Sequence, residues 1–509
     1  MTIAKGVAVT NSTLAFLPAD VTLFRDASHD RNPLHLSSEY SYRTAFGQQV
    51  VYGVLGFLGA LGSHPAHPAQ PAGLTIKGVT ADFCGPVFLD VAHQVQWEEL
   101  SSSKSRFRIT DGRRLLMKGS VEWRMSENPA AEPLLVSAMP RLEAALLDDS
   151  SIQALTPLEG TYCCPPTALD ALLTRWQLTE RGVTRWAAAC LLWSSYAIGM
   201  EMPGERALFS KLKLELDDCP EPDSNGILWR VTPTSYDERF TILQQSAALK
   251  SPGGNQARMK LQSFVRQTAG GGEVDAPVPT GQGLQGKTVL VTGGSRGLGA
   301  SFVRAMSGQA AAVCFSYHRS PVQAAELLEG PGAAAAAWQG DAASQEWCSE
   351  TASRLERDHG GLDVLVVNAC PALTPLLLEP ACLDRIHDFL ARSVAMASTP
   401  LAAFLPLLAK RGGWAVIVSS AAVSHPVAEW PHYGMAKCAL EGLAHVAALE
   451  YPLVRFLLVR PPRLLTDLTN TPLGRHGALP PQIVAHTVTS YLMKASVAAG
   501  TVTMLDKFP

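Results

Sequence analysis

A glycine-rich stretch in the second half of the chain, KTVLVTGGSRGLGASFVRAM, limits the fold more than any other feature. An apolar run ends at Thr292, four glycines follow within seven residues, and an amphipathic pattern begins directly afterwards. Glycines let the backbone turn tightly and approach a pyrophosphate, which then lies at the N-terminus of the following helix. The stretch therefore predicts the first strand, loop and helix of a doubly wound parallel α/β sheet. The loop residues predicted to bind a dinucleotide are Gly293, Ser295, Arg296, Gly297, Leu298 and Gly299.

The next apolar run, AAVCFSYHRS, bears on which dinucleotide is bound. An Asp or Glu at its end would accept a hydrogen bond from the ribose 2′-hydroxyl of NAD, and the run ends without one. Arg319, together with Arg296, would instead suit a 2′-phosphate. The sequence therefore predicts NADP(H) as the cofactor. The alternative is that Arg319 is a solvated surface charge.

A later stretch, WAVIVSSAAVSHPVAEWPHYGMAKCALEG, holds the residues predicted to act on a carbonyl group. Tyr433 and Lys437 are four residues apart in a helical pattern, so they share one face. Ser420 ends the strand-like run before them. A carbonyl held between Ser420 and Tyr433 could take the tyrosine proton as a hydride arrives. A Lys437 ammonium nearby would favour the phenolate and could also hold the ribose of the cofactor.

Taken together, residues 286–509 resemble a short-chain dehydrogenase/reductase with a Rossmann sheet, of the 3-ketoacyl-thioester reductase type. Their TGxxxGxG motif begins at Thr292, and the resemblance implies that Ser420, Tyr433 and Lys437 are the catalytic residues. It also implies that the remaining cofactor-binding positions are Asp341, Asn368, Ala369 and Thr466, with Tyr433 and Lys437.

This half departs from the family pattern at three places. Ser393 stands where the family has a proton-relay asparagine, Pro461-Pro462 replaces a Pro-Gly pair, and the usual Gly-Gly close is missing. These departures leave open that the reductase-like half is a scaffold without turnover.

The first half of the chain has a different pattern, with strand-like runs and a few apolar helices. It also repeats itself faintly, because LGFLGALG followed by LTIKGVTADFCGPV is similar to SSYAIGMEMPG followed by LFSKLKLELDDCP. We therefore expect two equivalent α+β units, at 1–145 and 150–267, that bury a core together. A stretch rich in Gly and Pro predicts a linker at 268–285, before the reductase-like domain at 286–509.

The stretch SHDRNPLH, near the N-terminus, carries the chemistry predicted for the first unit. With FGQQVVYGVLGFL behind it, it resembles the motif of MaoC-like, (R)-specific enoyl-thioester hydratases, which implies a double hot-dog fold for residues 1–267. Asp30, Asn32 and His35 match that motif, as does Gly53, whereas His29 replaces a glycine and Tyr52 replaces a histidine. The alternative is a polar loop of the Asx-turn type.

Addition or removal of water across a double bond moves a proton at C2 and a hydroxyl at C3. Asp30 and His35 would share this acid–base work, and Asn32 would orient them. The backbone N–H of Gly53 would stabilise the enolate oxygen of the thioester. The second unit has no such Asp–His pair, so we expect it to shape a tunnel for the acyl chain or pantetheine arm, with Asp170 and Glu201 as structural acids.

Composition excludes several other classes of protein. Charged residues are only 17% of the chain and the net charge is -3, which makes nucleic acid a poor partner. The start lacks the apolar core of a signal peptide, and apolar runs such as VVYGVLGFLGALG are too short to cross a membrane. Ten cysteines without CxxC spacing predict free thiols in the cytoplasm, and no metal-ligand spacing is evident.

The two halves share an intermediate, which leads to a prediction for the whole chain. Reduction of a 3-oxoacyl thioester, on CoA or an acyl carrier protein, gives the 3-hydroxyacyl thioester that the first half could dehydrate. We therefore predict a bifunctional ketoreductase–dehydratase of fatty-acid or polyketide biosynthesis, acting as a homodimer. The alternatives are hydration followed by NAD-dependent oxidation, as in β-oxidation, and a thioester-binding hydratase with a non-catalytic reductase-like domain.

Overall fold

The computed structural model describes residues 9–65, 74–125, 140–217, 226–266, 280–329, 333–470 and 472–509. The chain forms two compact units, the first made of residues 1–42 and 48–268 and the second of residues 43–47 and 269–509. Most of the predicted linker, up to residue 279, lies outside the described residues.

The first unit contains helices and antiparallel strands. In chain order they are β1 (Val9–Leu14), α1 (Pro18–Ser28), α2 (Pro33–Leu36), α3 (Ser38–Tyr42), α4 (Gly53–Gly62), β2 (Leu74–Phe83), β3 (His93–Ser101), β4 (Lys104–Asp111), β5 (Arg114–Met125), α5 (Asp149–Gln153), β6 (Leu158–Cys163), α6 (Pro166–Arg175), α7 (Arg185–Tyr196), β7 (Ala207–Leu216), β8 (Gly226–Asp237), β9 (Ile242–Lys250) and β10 (Gln256–Val265). A π-helical turn, Ala197–Glu201, continues α7.

These strands form one sheet, whose order over the described residues is β1-β3-β4-β5-β2-β7-β10-β9-β8-β6. The two sets of five strands have the same arrangement: β1-β3-β4-β5-β2, read from one edge, corresponds to β6-β8-β9-β10-β7, read from the other. The sets meet at the centre, where β2 pairs with β7 and Gly78 lies opposite Glu215. One long helix belongs to each half, α4 in the first and α7 in the second, and both are in the same hydrophobic core. The predicted double hot-dog fold is confirmed.

Helix α4 is apolar on every side, which is the pattern of a helix enclosed by its own protein. Its glycines permit close packing: a Cβ on Gly56 would lie 2.7 Å from Met117 Cε, and one on Gly59 would lie 2.7 Å from Phe16 Cζ. Each glycine lowers helix propensity by roughly 1 kcal/mol. The sheet that wraps the helix offsets this cost by burying the apolar side chains between them.

The second unit alternates strands and helices. They are β11 (Thr288–Thr292), α8 (Gly297–Ser307), β12 (Ala312–Tyr317), α9 (Pro321–Glu326), β13 (Ala336–Gln339), α10 (Gln345–His359), β14 (Val364–Val367), α11 (Leu383–Arg411), β15 (Trp414–Val418), α12 (Pro431–Glu450), β16 (Arg455–Val459), α13 (Pro472–Arg475), α14 (Pro481–Lys494) and β17 (Val502–Leu505).

All pairs in this sheet are parallel, and its order is β13-β12-β11-β14-β15-β16-β17. Successive residues of a strand enter opposite cores: Val289 and Val291 lie in one and Leu290 in the other. The strand order reverses between β11 and β14, and ligands of such sheets bind in the crevice at that point. The predicted doubly wound α/β sheet is confirmed.

The length and composition of helix α11 contradict the expectation that the apolar runs of this chain are too short to cross a membrane. Among the described residues, the helical segment Pro380–Arg411 is long and apolar enough to do so by length and composition. Of the 18 consecutive residues that make up the most apolar part of this segment, 44% are buried inside the structure. A helix that packs on a parallel sheet has the same composition, and α11 contributes Leu401 and Phe404 to the core of this unit.

Candidate active sites

The carboxyl group of Asp30 lies inside the first unit, with only 2% of the residue exposed. Its Oδ1 accepts a hydrogen bond from the Asn32 N–H at 3.0 Å, and its Oδ2 accepts one from the Ser195 hydroxyl at 2.7 Å. Ser195 belongs to α7, in the other half of the sheet. The loop between α1 and α2 therefore places its acid against the second hot-dog half.

Burial raises the pKa of the Asp30 carboxyl to about 7, although the hydrogen bonds from Ser195 and Asn32 lower it. Removal of water disfavours the charged form, and two neutral donors do not make up for this loss. The carboxyl is therefore able to exist in its neutral form near neutral pH, where it can donate a proton.

The imidazole of His35, on α2, lies within hydrogen-bonding distance of a backbone carbonyl. Its Nδ1 is 2.7 Å from the carbonyl oxygen of Val50. Because a carbonyl only accepts, Nδ1 carries the proton and Nε2 keeps a lone pair. Burial, together with the nearby charge of Arg266, lowers the pKa of His35 to about 4, although the hydrogen bond with Val50 opposes this change. His35 is therefore a neutral base at pH 7.

Tyr52, which replaces the histidine of the MaoC-like motif, touches both parts of the predicted pair. Its hydroxyl donates to the backbone carbonyl of Asp30 at 2.7 Å, and its ring lies 3.9 Å from the His35 ring at an angle of 31°. Tyr52 is also the N-cap of α4 and is 1% exposed. This substitution links Asp30 to His35 through one buried side chain.

His29, the other departure, occupies a backbone conformation that favours glycine. It caps the C-terminus of α1 with a φ of 56°, which is in the left-handed region. Its Nε2 lies 3.2 Å from the Cys163 carbonyl oxygen, in the second half. This contact ties the left-handed residue to the second half of the sheet.

The roles predicted for Asn32 and Gly53 remain predictions. The Asn32 side chain donates to the carbonyl oxygens of Gly199 and Gly204, both at 3.1 Å, and therefore fixes the loop rather than touching His35. Gly53 begins α4. A Cβ there would lie 2.9 Å from the Phe83 ring, so this ring leaves no room for a larger residue unless it moves.

Sequence reasoning missed the contribution of the second half to this site. Gly199 lies in the π-helical turn, and a Cβ there would be 2.6 Å from Oδ1 and 2.7 Å from Oδ2 of Asp30. The only signal was a Ser-Ser pair followed by a glycine in an otherwise apolar helix. The acids of this half are engaged elsewhere: Asp170 pairs with Arg185, and Glu201 with Arg141 at 2.7 Å.

The glycine-rich loop of the second unit lies between β11 and α8. Gly293 has a φ of 66°, and a Cβ there would lie 3.0 Å from Ala369 Cα. A Cβ on Gly299 would lie 2.1 Å from the carbonyl oxygen of Gly293. Side chains at these positions would open the loop, so glycine keeps the start of α8 accessible at the sheet edge. Gly297 has a φ of 53°, and Ser295 and Leu298 are buried beneath the loop.

Asn368 and Ala369 hold this loop in place from the end of β14. The Asn368 amide donates to the carbonyl oxygens of Thr292 at 3.3 Å and Gly293 at 2.9 Å. The Ala369 N–H lies 3.3 Å from the hydroxyl of Thr292. Their side chains and backbone therefore brace the loop, and direct contact with a cofactor remains a prediction.

The remaining predicted cofactor residues lie around the same sheet edge. Arg296 pairs with Asp467 at 3.2 Å, and Arg319 is exposed two residues after the end of β12. Asp341 accepts from Arg392 at 2.5 Å. Thr466 is close to the glycine-rich loop, since a Cβ on Gly297 would lie 3.4 Å from its Cγ2. The glycine cradle and the accessible start of α8 fit a nicotinamide dinucleotide.

The predicted catalytic residues of the second unit come from β15 and α12. Lys437, which is 5% exposed, donates to the Val418 carbonyl at 2.8 Å, and its Nζ lies 5.6 Å from the centre of the Tyr433 ring. The Ser420 hydroxyl accepts from the Ala422 N–H at 3.1 Å. The structure brings the tyrosine and the lysine together, while Ser420 caps the short turn that follows β15.

Two of the departures from the family pattern, at Ser393 and at Pro461-Pro462, can be described by their contacts in the structure. Ser393 is 6% exposed on α11, and its Oγ has no hydrogen-bond partner among the described residues. The carbonyl of Pro461 accepts from the Ala421 N–H at 3.0 Å, so the Pro-Pro pair supports the turn after Ser420.

A buried ion pair behind these residues was also missed. Both carboxylate oxygens of Glu441, one turn after Lys437 on α12, accept from Arg460, at 2.8 and 2.7 Å. The Ser419 hydroxyl donates to the same carboxylate at 2.6 Å. Such contacts between distant residues leave no short motif in the sequence.

Two family models match the chain. A MaoC like domain matches residues 2–116, and a short chain dehydrogenase matches residues 287–473. The sorbose reductase sou1 of Schizosaccharomyces pombe is 32% identical over 200 residues, which are 36% of this chain and 76% of that protein. The cyclic-di-GMP-binding biofilm dispersal mediator protein of Escherichia coli is 34% identical over 169 residues, 33% of this chain and 67% of that protein.

A solved short chain dehydrogenase from Burkholderia cenocepacia, in complex with NADP, is also similar to this chain. It is 28% identical, with a TM-score of 0.40, and the match covers 44% of this chain and 97% of that one. From the curated relatives and the two family models, the chain belongs to the short-chain dehydrogenase family through its C-terminal domain and carries a MaoC-like domain in its N-terminal half.

Proposed function

We propose that this enzyme reduces a 3-oxoacyl thioester with NADPH and then removes water from the 3-hydroxyacyl product to give a trans-2-enoyl thioester. The substrate is carried on CoA or an acyl carrier protein. The observation that carries the proposal is the pair around Tyr52, in which a buried, readily protonated Asp30 accompanies a neutral His35.

The dehydration step uses these two groups in complementary roles. His35 Nε2, which holds the lone pair, takes the proton from C2 of the 3-hydroxyacyl thioester. Asp30, in its neutral form, gives a proton to the leaving C3 hydroxyl, which departs as water. The backbone N–H of Gly53 lies at the start of α4, where the helix dipole favours the negative charge that develops on the thioester oxygen.

The reduction step uses the second unit. A bound nicotinamide dinucleotide would supply the hydride for the carbonyl carbon. Tyr433 donates its proton to the carbonyl oxygen, while Ser420 donates a hydrogen bond to the same atom. Lys437 lies close enough to Tyr433 to favour the phenolate that remains and to hold the ribose. Arg319, exposed after a strand that ends without an acid, supports NADPH rather than NADH.

The test is incubation of the enzyme with 3-oxoacyl thioesters and NADPH, followed by mass spectrometry. We expect a product with two added hydrogens and then a product that has lost water. Faster turnover of 3-hydroxyacyl thioesters with NAD would favour the opposite, oxidative direction. Intact dinucleotide binding without oxidation of NADPH by any 3-oxoacyl thioester would favour a scaffold. Cytoplasmic location and a homodimer remain predictions.

A further inference from the structure

A surface cleft of about 500 Å³ lies on the first unit beside the loop that carries Asp30. Its lining includes Arg25 and Asp26 from α1, with His29 and Arg31 from the loop. Pro165, at the start of α6, also lines it. The cleft is open to solvent, unlike the buried carboxyl of Asp30, so a soluble molecule can reach it.

The charges in this cleft favour an anion. Arg25 pairs with Asp26 at 2.8 Å, which leaves the guanidinium of the exposed Arg31 as the net positive charge. His29 is neutral at pH 7 because burial lowers its pKa, and its ring can still donate or accept a hydrogen bond. The planar guanidinium of Arg31 suits phosphate oxygens better than it suits a neutral amide.

The position of the cleft ties it to the dehydration site. Asp30 points inward to Ser195, while its two neighbours, His29 and Arg31, line the cleft on the other side of the same segment. The Arg31 backbone N–H lies 3.0 Å from the sulfur of Met200, which holds the segment against the second half. The cleft and the acid are therefore formed by the same short segment of the chain.

We propose that this cleft binds the phosphate at the far end of the pantetheine arm of the thioester substrate, through Arg31. The inference rests on the proposed function, because it assigns a position to the carrier end of that substrate. The shared chemistry is a phosphate ester next to pantetheine, which both CoA and a carrier protein supply.

The test compares acyl thioesters of pantetheine, 4′-phosphopantetheine and CoA as dehydration substrates of the full chain. Arg31→Ala should raise KM about tenfold for the two phosphorylated thioesters, since a charged hydrogen bond at a partly solvated site is worth roughly 1.5 kcal/mol. KM for the pantetheine thioester should not change, and kcat should be preserved for all three. An effect confined to CoA would place its nucleotide phosphates in the cleft and would contradict the assignment of the cleft to the phosphate next to pantetheine.

Arg239→Ala is the matched control, because this arginine is highly exposed between β8 and β9, outside the cleft. Equal changes with pantetheine and its phosphorylated forms, or no change with any of them, would overturn the inference. If the wild-type protein dehydrates none of the substrates, the proposed function fails instead. Calorimetric binding of unacylated 4′-phosphopantetheine, compared with pantetheine, then decides the inference by itself: a phosphate preference that Arg31→Ala removes supports it, and equal binding overturns it.

Discussion

Asp30 owes its reactivity to neighbours that do not belong to its own loop. Burial raises the pKa of its carboxyl, and the hydrogen bond from Ser195 opposes that change. A serine hydroxyl on the second half of the sheet therefore adjusts an acid on the first. We therefore propose that Ser195 is a positioning residue for the proposed dehydration step.

We expect Ser195→Ala to move the pH dependence of dehydration. Wild-type activity should fall as pH rises through about 7, because the acid is then ionised and has no proton to give. Without Ser195 the ionised form loses a donor, the pKa of Asp30 rises, and the fall should occur at higher pH. The measurement is kcat against pH from 5 to 9.

Ser195→Thr keeps a hydroxyl and serves as the control, with a profile close to that of the wild type. Activity that rises through pH 7 in the wild type would mean that Asp30 acts as a base. An unchanged profile in Ser195→Ala would mean that the hydrogen bond does not influence the reacting group.

At the scale of elements, the π-helical turn after α7 shapes the space around the Asp30 carboxyl. Gly199 in this turn leaves no room for a Cβ. We expect Gly199→Ala to push the carboxyl away from its place and to lower the dehydration rate by about 100-fold, since general acid catalysis contributes roughly 10²–10⁴-fold. Ketone reduction should be unaffected. The measurement is the initial rate of each half-reaction with its own substrate.

Gly442→Ala, on α12, is the control for a glycine substitution in a helix, because a Cβ there meets nothing within 4 Å. Both activities should be retained in this variant. Equal dehydration rates in Gly199→Ala and the wild type would show that the carboxyl tolerates displacement.

The features that could be predicted from the sequence are those formed by residues that lie close together along the chain. The glycine loop before α8 and the Tyr433–Lys437 spacing lie within a few residues, and so does the Asp30–His35 motif. The contacts of Ser195 and Gly199 with Asp30 arise from the packing of two distant segments, more than 160 residues apart. No periodicity or short motif encodes such a contact. For the same reason the Glu441–Arg460 pair and the cleft beside Arg31 could not be predicted.

At the scale of the whole molecule, each unit has its own core and its own set of reactive side chains. We expect Tyr433→Phe to abolish ketone reduction and leave hydration of an enoyl thioester unchanged, and Asp30→Asn to have the opposite effect. The losses should be about 10²–10⁴-fold, as expected for removal of an acid–base group. Parallel assays of both half-reactions check this, and loss of both activities from either change would contradict independent sites.

The two hot-dog halves belong to one polypeptide chain, and β2 pairs with β7 where they meet. A symmetric pair of separate chains would have to carry every sequence change twice. Here the second half lacks an Asp–His motif, yet its Ser195 and Gly199 lie against the carboxyl of Asp30 in the first half. A single chain can therefore give its two halves different parts in one site, with the acid on one half and its surroundings on the other.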